Sequence, residues 1–291
     1  MTPSPALRGP RLALAVSLAL LAFAGNSVLA RLALRDGAMD PASFTALRLA
    51  SGALVLWVLA TLFRKGAEGH GRWGSALALF AYAAFFSFAY VQLEAGAGAL
   101  LLFGAVQVTM IGRGLWRGER LAAWQWLGLA LAIAGLAGLL LPGLTAPPPG
   151  PAAMMVVAGV AWGVYSLRGQ GGGDAIRVTA GNFTRCLPFA VVWSLLMVKD
   201  IRLDPAGVGY ALASGALASG LGYAVWYTVL PTLRPSAAAT LQLLVPLLVA
   251  IAGVSLLGEP ATLRLALAAL AIVGGVALVV QVRPSSRIAS R

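Results

Sequence analysis

The sequence predicts an all-α membrane protein, ten transmembrane helices arranged as two inverted five-helix repeats (5+5). Three observations predict it. Of 291 residues, 60% are apolar and only 10% charged, with a mean hydropathy of +0.88, a composition that soluble domains rarely carry. Ten apolar runs approach the roughly 20 residues needed to cross a hydrocarbon core about 30 Å thick. Segments six to ten repeat the plan of segments one to five, and a unit with an odd number of crossings must lie in opposite orientations in its two copies.

The first run, Leu12–Leu34, follows Arg8 and Arg11 and passes through Ser27-Val28-Leu29-Ala30, which resembles a secretory leader and its small-residue cleavage site. It is longer than a leader's apolar core, and its removal would break the repeat, so it is read as a retained helix. Ala42–Phe63 carries Arg48 in its early turns. Trp73–Gln92 places Tyr82, Phe86 and Tyr90 four residues apart on one face. Ala95–Leu115 opens on Gly96 and Gly98, which admit a close partner, and Leu121–Leu141 is apolar with a small pair, Ala134-Gly135.

The stretch Pro142–Pro151 is uncharged and too rich in proline to continue a helix. It divides the chain into a first repeat, 1–144, and a second, 145–291, which together form one transmembrane domain. The second repeat holds Ala152–Leu167, short unless it extends through Pro151, then Val178–Val198, Ala206–Leu230, Ser236–Leu257 and Leu263–Val282. Pro188 and Pro246 fall within its helices and Pro231 just after one, and together they loosen backbone bonding in this half, permitting a hinge or exposed carbonyls.

The two halves correspond in detail. Ala95-Gly96-Ala97-Gly98-Ala99 matches Pro235-Ser236-Ala237-Ala238-Ala239. Gly118-Glu119 matches Gly258-Glu259, each before an apolar helix with paired small residues, and Arg48 matches Arg185. In this order the chain resembles the EamA branch of the drug/metabolite transporter superfamily from about Leu12 to Val282, and within it is most like the YddG-type aromatic amino acid exporters. The resemblance implies a central cavity lined by helices one, three, four, six, eight and nine, with helices two and seven towards the periphery. It also implies export of amino acids or other small metabolites across a bacterial inner membrane.

The charge narrows the alternatives. With the N-terminus in the cytoplasm, fourteen Lys and Arg fall on the inner side and five on the outer, with Arg48 and Arg185 inside segments. That bias follows the positive-inside rule and puts both termini in the cytoplasm. The net charge of +12 therefore sets topology and attraction to membrane lipid, and nucleic acid is not an expected partner. One cysteine, Cys186, and one histidine, His70, leave no ligand set for a metal or haem, and no phosphate-binding glycine loop stands out, so no cofactor and no enzymatic activity are expected. A monomer is the expected unit.

All nine acidic residues fall in loops or at helix ends. A proton-coupled exporter of drugs or lipophilic cations, the alternative function, would need a titratable group facing the cavity, and Glu94 is the nearest acidic residue. Glu119 and Glu259 are read as turn residues stabilising the start of the helix that follows each. Arg48 and Arg185, costly within a bilayer, could grip a substrate carboxylate; their recurrence at equivalent positions favours an architectural role.

The candidate binding residues are aromatic and amide. Trp162 and Tyr165 share a face, as do Tyr223, Trp226 and Tyr227, and with Tyr82, Phe86 and Tyr90 they are expected to form opposite aromatic walls. Asn26, Gln107 and Gln242, with Asn182, are amides that lipid would not tolerate unpartnered, so they should face the interior and suit a zwitterion. Asn26 is the leading contact, because Tyr165 occupies its place in the second repeat. The expected activity is alternating-access transport of small neutral or zwitterionic metabolites, amino acids first.

Overall fold

The structure, a computed structural model, describes residues 9–63, 68–118, 120–143, 146–169, 173–233 and 241–280. These residues form helices and connecting turns, with no strand among them. In chain order the helices are α1 (Pro10–Leu34), α2 (Pro41–Phe63), α3 (Trp73–Tyr90), α4 (Ala95–Trp116), α5 (Ala123–Leu140), α6 (Pro149–Arg168), α7 (Ala175–Leu196), α8 (Pro205–Val229), α9 (Leu244–Leu257) and α10 (Leu263–Val280). All but α7 and α9 are both long and apolar enough to cross a membrane, eight in number. Helix α7 carries Arg177, Asn182 and Arg185, and α9 is 14 residues long over its described part. Helices dominate because in hydrocarbon each backbone N–H and C=O must find its partner within the segment.

Two boundaries differ instructively from the sequence reading. Helix α6 begins at Pro149, so the end of the proline-rich stretch supplies its first turn. Proline is at home there, since the first helical N–H groups have no intrahelical acceptor. Helix α8 changes pitch: it is α-helical over Pro205–Ala213 and Gly222–Val229 but π-helical over Ser214–Leu221. The bulge sits where α8 crosses α2. A Cβ on Gly215 would collide with Ser51 Oγ and the Arg48 carbonyl, so glycine alone permits this approach.

The packing follows a twofold plan. Helix α3 packs on α6 as α1 does on α8, α4 packs on α6 as α1 does on α9, and α2–α7 and α5–α10 each pair across the halves. At the α5–α10 crossing, a Cβ on Gly128 would lie 2.5 Å from the Gly275 carbonyl oxygen, and one on Gly275 would lie 2.5 Å from that of Gly128. Gly159 and Gly163 of α6 likewise meet Leu102, Ala105 and Thr109 of α4. Both helices advance in the same sense along this contact, so the start of α4 and the end of α6 lie at opposite ends of the bundle.

At the end where α4 starts, charges tie the halves together. Arg31 Nε lies 3.3 Å from Glu259 Oε1, and its Nη1 donates to the carbonyls of Tyr90 and Val91 at 3.1 Å each. Both oxygens of Glu259 accept from Ala95 N–H, at 2.9 and 2.8 Å. Glu259 thus stabilises a helix start as expected, but that of α4 in the other half, not α10. A left-handed Gly258, φ 69°, turns the chain so that the carboxylate can reach it. Glu119 and the 235–239 run, their counterparts in the sequence reading, lie outside the described residues.

Candidate substrate cavity

A cavity of about 700 Å³ opens among α1, α2, α3, α4, α6, α7 and α8. It runs from Asn26, Arg48 and Tyr82 in the bundle interior to Gly169 and Gly173 between α6 and α7, and to Leu233 and Gln242 at the approach to α9. Its mouth therefore lies at the end of α6, opposite the Arg31–Glu259 pair. The size suits a small organic ligand, for which pockets of about 300–1,000 Å³ are usual.

Eight of the ten candidate residues line it: Asn26, Tyr82, Gln107, Trp162, Tyr165, Tyr223, Trp226 and Gln242. Phe86 and Tyr90 do not. Phe86 is fully buried, its ring against Arg48 and 5.4 Å from the Tyr82 ring. Tyr90 is fully buried too, packed on Gly98 with its hydroxyl donating to the Ala95 carbonyl at 3.2 Å. The four-residue stripe on α3 thus leaves the cavity as it climbs, because a straight helix turns only one part of its face towards any one opening.

The aromatic residues form one continuous belt rather than two opposed walls. Trp162 is its centre, with ring centroids 4.7 Å from Tyr82, 5.3 Å from Tyr165 and 5.6 Å from Tyr223. Tyr223 in turn stacks on Tyr227 at 6.0 Å and meets Phe23 at 5.7 Å. Such offset and tilted rings present both π faces and edges to an occupant.

A polar chain crosses this belt. Ser214 Oγ donates to Asn26 Oδ1 at 2.7 Å, Asn26 Nδ2 donates to the Tyr82 hydroxyl at 3.1 Å, and Arg48 Nη2 donates to the same hydroxyl at 2.9 Å. Ser214 belongs to the π-helical turn, which is how that bulge reaches the site. On the cavity's other flank Asn182 accepts from the Arg72 backbone N–H at 2.8 Å and lies 3.5 Å from the Tyr165 hydroxyl.

Arg48 and Arg185, equal by sequence, differ by position. Arg185 donates to the Gly181 carbonyl of its own helix at 3.0 Å and lies over the Trp73 ring, a packing role as expected. Arg48 lines the cavity, 3% exposed, with its guanidinium over the rings of Tyr82 and Phe86. Helices α2 and α7 accordingly contribute to the lining, through Arg48 and through Ala175, Val178, Thr179 and Asn182, and are not merely peripheral. Tyr227, on the same face as Tyr223 and Trp226, lines the cavity too, while sequence reading missed Phe23, Thr179 and Ser219 as lining residues. The only signal for the serines was the small-residue run Ser214-Gly215 and Ser219-Gly220, which marks a site of close approach. Glu94 does not line the cavity, and no group of three or more His, Cys, Asp or Glu side chains clusters among the described residues.

Comparison with known proteins agrees with this architecture. The model of the EamA-like transporter family matches twice, over residues 11–141 and 151–281. A protein of Pseudomonas aeruginosa, "Uncharacterized protein PA1977", is 58% identical over 267 residues, which cover 91% of this chain and 93% of that one. Among solved structures, a crystal structure of a protein aligns with 92% of this chain and 98% of its own, with a TM-score of 0.63 and 22% identity, a likeness of fold alone.

Proposed function

The chain belongs to the EamA-like transporter family, and from that membership we propose that it moves amino acids and related small metabolites across a bacterial inner membrane by alternating access. That it is a multi-pass membrane transporter and not an enzyme follows from the family. The substrate class rests on the cavity: a belt of Trp and Tyr rings around Trp162, crossed by amides and one arginine, suits a small molecule with an apolar or aromatic body and a polar head. Aromatic amino acids, the cargo of the YddG-type exporters, fit this description best.

In the proposed arrangement the ten helices form two five-helix repeats that cross in opposite senses, with both termini cytoplasmic by the distribution of Arg and Lys. The cavity mouth at the end of α6 then faces the cytoplasm, the side from which an exporter loads, and a monomer in lipid is the working unit. Proton-coupled extrusion of lipophilic cations is the weaker reading, because no acidic residue lines the cavity among the described residues.

The test is uptake of labelled amino acids into proteoliposomes, without and with a pH gradient, beside Trp162→Ala. Saturable flux of several neutral amino acids, indifferent to the gradient and weakened by the variant, is the expected result. Gradient-driven movement of a lipophilic cation with no amino acid flux would replace this reading with the drug exporter.

A further inference from the structure

Among the described residues, Arg48 is the one charged side chain that lines the cavity. Its guanidinium is deeply buried, with Arg48 only 3% exposed. No carboxylate lines the cavity among the described residues, and Arg48 enters no ion pair there. Its Nη2 is bonded to the Tyr82 hydroxyl at 2.9 Å, while Nε and Nη1 are buried without a hydrogen-bond partner. A buried guanidinium in this condition is costly, since the desolvation of its charge is offset only by two ring faces and one hydroxyl.

The Tyr82 hydroxyl sharpens the point. It accepts from both Asn26 Nδ2 and Arg48 Nη2, which occupies its two lone pairs and leaves its own O–H to donate. Ser214 Oγ holds Asn26 from behind at 2.7 Å and donates to its carbonyl in this arrangement, which leaves Nδ2 for Tyr82. With these bonds the site presents an O–H donor beside a positive charge, and both residues line the cavity. The geometry complements an acceptor bearing negative charge.

Resting on the small-metabolite reading above, we infer that Arg48 and Tyr82 form the carboxylate subsite of this cavity and that substrates are selected by their carboxylate rather than their ammonium group. A carboxylate at the Arg48–Tyr82 contact accepts from the Tyr82 O–H and a guanidinium N–H, with its apolar body against Trp162 and Tyr223. Among the described residues an ammonium group finds no acid to pair with, only uncharged amides, hydroxyls and ring faces. An aromatic acid lacking the amino group is therefore a ligand in its own right, and the corresponding amine is not.

Calorimetric titration of the purified protein in detergent with phenylalanine, 3-phenylpropionate and 2-phenylethylamine tests this without depending on transport. The acid is expected to bind at least as tightly as the amino acid, and the amine about tenfold or more weakly, the scale of one lost charge-assisted hydrogen bond. Arg48→Gln should weaken the acid about tenfold or more while leaving the amine unchanged, and Tyr82→Phe, which keeps the ring and removes only the hydroxyl, should weaken it less. Tyr82→Phe also serves if Arg48→Gln does not fold. Amine binding equal to acid binding, or acid binding unchanged in either variant, overturns the subsite. Acid binding lost in the variants but without amino acid flux in proteoliposomes would leave the subsite standing and remove the amino acid reading instead.

Discussion

Arg31 of α1 and Glu259 beyond α9 meet at 3.3 Å across 228 residues of chain, and the same carboxylate takes the first N–H of α4 on both its oxygens. One side chain of the second half thereby ties together α1 and α4 of the first, at the end opposite the cavity mouth. Under the alternating-access mechanism proposed above, this end must part when the cavity closes, and the clamp would then bias the balance between the two states.

Glu259→Gln should loosen that end. It removes the ion pair and the charge on the α4 start, and with side-chain exposures of 15% for Arg31 and 11% for Glu259 the loss is expected to reach about 1–3 kcal/mol. In a Cys186→Ala background, a cysteine placed at Ser27 should then react faster with a membrane-impermeant thiol reagent added from the far side. Unchanged labelling would show that the clamp does not hold that end shut.

Glu94 supplies a pH dependence. Burial first, and repulsion from Glu259 second, push its carboxyl above the usual carboxylate range, while Arg31 acts the other way. A raised carboxyl favours the protonated form in the folded state, so this contribution to stability is present at pH below the ordinary Glu value and is lost as pH rises through the folded one. Glu94→Gln should therefore raise the melting temperature at pH 8 and leave it unchanged at pH 4. A variant equally stabilised at both pH values would assign the effect to packing instead.

Asn26→Ala should weaken binding indirectly. Without the amide, Tyr82 loses one of its two donors and Ser214 its acceptor, so the hydroxyl is free to turn. Affinity for phenylalanine is expected to fall about fivefold to tenfold, the scale of one hydrogen bond, while Asn26→Asp, which can accept but not donate, should not restore it. Full rescue by Asn26→Asp would place the contact elsewhere.

Gly128→Ala tests the scaffold apart from the site. Its new Cβ would stand 2.5 Å from the Gly275 carbonyl oxygen, and overpacking of this kind costs about 1–3 kcal/mol. Thermal stability in detergent should fall, while the molecules that remain folded bind substrate as before. A change in affinity at unchanged stability would mean that the α5–α10 seam communicates with the cavity.

Much of this molecule was legible in the chain. The apolar runs located the helices to within a few residues, save the ninth, whose expected start at Ser236 lies outside the described residues, because lipid compels a helix wherever the chain is apolar for long enough. The faces of Trp162 and Tyr165, and of Tyr223 and Trp226, followed from their three-residue spacing, and each of these residues reaches the cavity. The same rule misplaced Phe86 and Tyr90, since periodicity names a face but not how far along it an opening extends.

The sequence by itself determined that the protein is helical, spans a membrane and repeats its plan, and it identified the polar and aromatic residues that needed an interior. Only the tertiary structure decided that Arg48 borders the cavity while Arg185 turns back on its own helix, that Glu259 caps α4 and that a π-helical turn brings Ser214 to Asn26. The reason is physical: helix formation is decided by hydrogen bonds four residues apart, whereas the partners of Arg31, Asn26 and Glu259 lie 228, 188 and 164 residues away and exist only once the two halves have packed.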